Sequence, residues 1–195
     1  MKSISDTIAN TLLLQGIIQK EDVYICKYGL GIFISSILEI LSILIISFFI
    51  GNPFETILFF ASFVPLRIYA GGYHANTKMS CYLLSLIVYT LFTVMIYILP
   101  QSLYVIMNLL IAVLSLVVVS IAAPIIHKNK TVNKFEEIYY RKLSIFICLS
   151  ETLIIMILTA VFPCSKYVVS FAAGQSAVIA SMFAAIIKRE LVVDK

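Results

Sequence analysis

The chain has 195 residues, 62% of them hydrophobic and 12% charged, with a mean hydropathy of +1.06, well above that of a water-soluble domain. Polar runs long enough to coat a second core are missing, which excludes a separate aqueous domain. A net charge of +4 in so apolar a chain excludes nucleic-acid binding as a reading. The sequence is that of an all-α polytopic membrane protein, organised as a single integral membrane domain over 1–195.

Residues 1–28 open the chain with Ile4, Ile8 and Leu12 at four-residue spacing beside Ser5, Asp6, Asn10 and Gln15. This spacing predicts an amphipathic helix lying at the membrane interface, with a lead-in to the first span as the alternative. A cleavable signal is not expected, because Asp6 and Asn10 interrupt a brief apolar run and no small-residue cleavage site follows.

About 20 apolar residues are needed for a helix to cross a hydrocarbon core about 30 Å thick. Four runs meet this readily, at 30–50, 82–99, 103–126 and 143–162, and a fifth, at 168–187, is weakened by Gly174 and Gln175. The segment 54–69 is less regular: Pro65 lacks a backbone donor, and Arg67 places a fixed charge near its end. Counting it as a crossing puts every Lys and Arg except Lys166 on the side of the N-terminus. Omitting it destroys that asymmetry. Basic residues are retained in short cytoplasmic loops, so about six spans with both termini cytoplasmic are predicted.

Cys26, Cys81, Cys148 and Cys164 are irregularly spaced and include no CxxC pair, which argues against a disulfide framework. One His and one Cys near each other do not make the usual zinc ligand set, so neither a metal nor another cofactor is expected.

Reactive groups concentrate between the second and third spans, in Arg67-Ile-Tyr-Ala-Gly-Gly-Tyr-His74 and on to Cys81. Gly71 and Gly72 permit a sharp turn, after which Asn76 or Thr77 can cap a new helix. Cys81 then falls in the first turns of that helix, where unpaired N–H groups and the dipole favour a thiolate. His74 provides a group that titrates near neutral pH. Seven residues on one helix span about 10.5 Å, too far for an imidazole–thiol hydrogen bond, so His74 must lie off the helix that carries Cys81.

Arg67, Ala70-Gly71-Gly72-Tyr73-His74 and Cys81 at the opening of a span resemble the signature of the accessory gene regulator B (AgrB) family, bacterial membrane peptidases that process a quorum-sensing pro-peptide into a cyclic autoinducing peptide. The resemblance implies that His74 and Cys81 are the catalytic pair of a cysteine endopeptidase in the cell membrane. It gives Arg67 and Gly72 a supporting role, to which Gly71 is added as part of the turn. The implied partners are a small AgrD-like pro-peptide and a second copy of the chain in a homodimer, alongside membrane lipids.

The other polar groups admit more than one reading. Arg67 reads either as stabilising developing charge or as reaching toward headgroups. Lys128, Lys130 and Lys134 read as topology determinants or as a dock for an acidic substrate tail. Glu39 and Glu151 lie deep within spans, where an inter-helix structural hydrogen bond is at least as good an explanation as catalysis. Together with Asn108 and Gln175, these carboxylates keep a small transporter as the alternative from another functional class.

Overall fold

The computed structural model describes residues 4–50, 52–73, 78–125 and 133–193. Seven α-helices are found among them: α1 (Ile4–Leu14), α2 (Val23–Ile50), α3 (Pro53–Ala70), α4 (Lys78–Ile98), α5 (Tyr104–Ala122), α6 (Lys134–Val161) and α7 (Lys166–Val193), with a 3₁₀ turn at Gln101–Leu103. Helices α2 to α7 each contain a stretch long and apolar enough to cross a membrane. The molecule is therefore an all-α polytopic membrane protein, and the doubtful segment with Pro65 is a continuous helix of 18 residues.

The chain divides into two compact units, Met1–Ile50 and Gly51–Lys195. In the first, α1 packs on α2 through a small-residue face containing Ser5 and Ala9, leaving Ile8 exposed, and Lys27 pairs with Asp6. The stretch 1–28 is not one element. Gly16, at φ 71°, ends α1 in a Schellman turn in which the Ile17 N–H donates to Leu12 O and the Gly16 N–H to Leu13 O. Helix α2 then starts at Val23, earlier than its hydropathy predicts.

The second unit is built around α7, whose membrane-length stretch is the most buried of the six. Ala172, Ala173 and Ala177 are buried with Gly174, and a Cβ on Gly174 would overlap Phe59 O and lie 3.0 Å from Phe63 N. Small residues let helix backbones approach closely in lipid, where no hydrophobic force drives apolar helices together. The same Gly174 that weakens the hydropathy signal is what seats α7 against α3. A core of Leu66, Ala70, Val119, Cys148, Val178 and Met182 joins α3, α5, α6 and α7 at one end of this unit.

Polar groups inside the unit are hydrogen-bonded between helices. Ser62 Oγ donates to Glu151 Oε2 at 3.1 Å, linking α3 to α6. Gln175 Nε2 donates to Cys148 O and Thr152 Oγ1, both at 3.3 Å, linking α7 to α6. Asn108 Nδ2 donates to Thr159 Oγ1 at 3.1 Å, linking α5 to α6. Glu151, Gln175 and Asn108 thus act as inter-helix ties. Glu39 is half-buried within α2, in the other unit.

Candidate functional site

The last turn of α3 brings Arg67 and Ala70 to the end of the helix, where Gly71 caps it by donating to Arg67 O at 3.2 Å. Gly71 and Gly72 have φ of 75° and 136°, values that side chains with a Cβ rarely adopt. Space imposes a second requirement on both: a Cβ on Gly71 would overlap Ile125 O, and one on Gly72 would overlap Arg67 Nη1 and Ser181 Oγ.

This backbone is fastened on three sides. Gly71 forms an isolated parallel bridge with Ile125, in which Ile125 N–H donates to Ala70 O at 2.9 Å. Tyr73 N–H donates to Ser181 O on α7 at 2.9 Å. Arg67 Nη2 donates to Tyr73 O, and Lys188 Nζ lies 4.7 Å from the centroid of the Tyr73 ring, within the range of a cation–π contact. The two readings of Arg67 from sequence, charge stabiliser or headgroup ligand, are joined by a third partner, the backbone of its own loop.

Helix α4 begins at Lys78, so Cys81 completes its first turn. That is the position expected from the motif, beside the N–H groups that lack an intrahelical acceptor. The thiol is half-buried and not in a disulfide. Helix α4 packs against α7, as does the loop that leaves α3. The structure therefore brings Arg67, Gly71, Gly72 and Tyr73 together and places Cys81 at the start of a helix adjoining the same α7. His74, the expected caps Asn76 and Thr77, Lys128 and Lys130 lie outside the described residues.

Lys134 is the first residue of α6 and is exposed. It follows a capping box in which Asn133 N–H donates to Glu136 Oε2 at 3.0 Å while the Asn133 side chain accepts from the Glu136 backbone. Arg141 Nη2, further along α6, donates to Ser120 O at 3.2 Å. Ser181 and Lys188 were not singled out from the sequence. Each meets Tyr73 across a long stretch of chain, and no local pattern announces such a contact.

Two hollows lie at the other end of the unit. One is lined by Asn52, Thr56, Tyr89 and Lys166, and the other by Leu58, Leu158, Phe162 and Phe171. Lys166 pairs there with Glu55 at 2.6 Å. Neither hollow includes a residue of the motif.

A polytopic helical membrane protein with a double-glycine turn fastened to α7 and a cysteine in the first turn of the next helix is the class that fold and motif define. The family model described as accessory gene regulator B matches residues 3–187. The chain belongs to that family. It is also 40% identical over 63 residues to Protein FsrB of Enterococcus faecalis (strain ATCC 47077 / OG1RF). That match spans 32% of this chain and 26%, about a quarter, of the relative. No solved structure matches the chain.

Proposed function

We propose that this protein is a membrane-embedded cysteine endopeptidase that removes the C-terminal tail of a small AgrD-like quorum-sensing pro-peptide. The observation that carries this reading is the placement of Cys81 in the first turn of α4, within the motif that resembles the family's signature. His74 takes the Cys81 proton, the sulfur attacks a peptide carbonyl of the substrate, and His74 returns the proton to the departing amine. The retained peptide is left on Cys81 as a thioester. Attack by a thiol of that same peptide exchanges one thioester for another, returns the proton to Cys81 and closes a thiolactone, helped by the high effective concentration of a tethered nucleophile. A hydroxyl in that role gives a lactone, and water gives a linear peptide.

The charge bias of the loops supports a cytoplasmic location for the site and for both termini. Lys128, Lys130 and Lys134 supply the positive charge that an acidic substrate tail would meet, and a homodimer accords with the family. Co-expression with the pro-peptide tests the central claim by mass spectrometry. Tail cleavage is expected with the intact protein and is expected to vanish in Cys81→Ala and His74→Ala; cleavage by Cys81→Ala would remove the proposed nucleophile.

A further inference from the structure

We infer that α7 positions the chain that leads into His74 of the reactive motif, with Lys188 as a positioning residue that acts through Tyr73; this rests on the peptidase reading above. Ser181 and Lys188 are seven residues apart, two helical turns, and so project from one face of α7. Both meet the same residue. Ser181 O accepts the Tyr73 N–H at 2.9 Å, and Lys188 Nζ stands 4.7 Å from the Tyr73 ring.

Tyr73 directly precedes His74 in the chain. With its N–H held by Ser181, its carbonyl by Arg67 and its ring against Lys188, the point from which residue 74 departs is set at both backbone polar groups and at the side chain. Gly72 lets this happen, because a Cβ there would occupy the space of Arg67 Nη1 and Ser181 Oγ. The helix that carries Cys81 packs on the same α7. Helix α7 thus serves as the reference for the chain leaving α3. A lysine that served only topology would need a charge at this end of α7 and no aromatic ring beneath it.

The test is steady-state tail release from a synthetic pro-peptide with an amphipathic start and an acidic tail, by the full chain in proteoliposomes, normalised to inserted protein. Lys188→Met is expected to lower kcat roughly three- to tenfold with KM within about twofold. Lys188→Arg, which keeps a cation able to stack, is expected to match the wild type. Tyr73→Leu should fall as Lys188→Met does, and the double variant should be no slower than either single change, since both remove one contact. An unchanged kcat in Lys188→Met, an effect on KM alone, equal impairment of Lys188→Arg, or additive losses in the double variant would each overturn the inference. Tail release by Cys81→Ala would instead overturn the peptidase reading, whatever Lys188 does.

Discussion

Arg67 donates through Nη2 to the backbone carbonyl of Tyr73, six residues further along, so a side chain in the last turn of α3 fastens the loop leaving that same helix. A guanidinium suits this task because it is planar, permanently charged and carries several donors in a fixed fork. Arg67→Lys keeps the charge but replaces the fork with a single ammonium on a shorter reach. Tail cleavage by Arg67→Lys is expected to fall at least roughly tenfold with insertion unchanged, a loss on the order of 1.4 kcal/mol of transition-state stabilisation. Quantitative mass spectrometry of the released tail, set against immunoblotted membrane protein, checks it; wild-type cleavage would show that charge alone suffices.

Gly72→Ala should act on the same loop by a different route. The new methyl combines an unfavourable φ with overlap against Arg67 and Ser181, so the turn must open. Processing is expected to be lost, with a stability cost of about 1–3 kcal/mol. Gly29→Ala in α2 is the control, since nothing lies within 4 Å of its added Cβ. Thermal unfolding in detergent and tail release, measured on both variants, should separate them clearly.

The α3–α7 contact makes a prediction about stability without reference to catalysis. Gly174→Leu must push α7 off Phe59 and Phe63 and should destabilise the protein by about 1–3 kcal/mol or more. Ser62→Ala, which removes the donor to Glu151, should cost less, about 0.6 kcal/mol. Denaturation of the two variants in one detergent should reproduce that order, and a Gly174→Leu protein as stable as the wild type would contradict the close approach.

Orientation can be read from a thiol at the other end of the bundle. Cys164 is exposed, between α6 and α7. In a variant retaining only this cysteine, a membrane-impermeant maleimide should label intact cells, since the charge bias predicts an outside location for this loop. Labelling only after the cells are opened would reverse the assigned topology.

Hydropathy located the spans from sequence because lipid-facing helices must be apolar along about 20 residues, whatever their neighbours. It was weaker at helix ends. Helix α6 begins at Lys134 rather than at residue 143 because its first turns are polar, yet Asn133 and Glu136 form a capping box visible in the sequence. Gly16 similarly marked the end of α1 within a stretch read as one element. The position of Cys81 in the first turn of α4 followed from the double glycine before it, a local signal. The seat of Tyr73 did not, since Ser181 and Lys188 meet it through tertiary packing that no spacing rule encodes.

The dependence of Tyr73 on Ser181 sets an order of events during biosynthesis. Helices α3 and α4 emerge from the ribosome and enter the bilayer before α7 has been translated, so the nascent motif is at first without the carbonyl that receives the Tyr73 N–H. Maturation of the site waits on integration of α7, and a chain arrested after α6 would carry every residue of the motif without the seat that holds it.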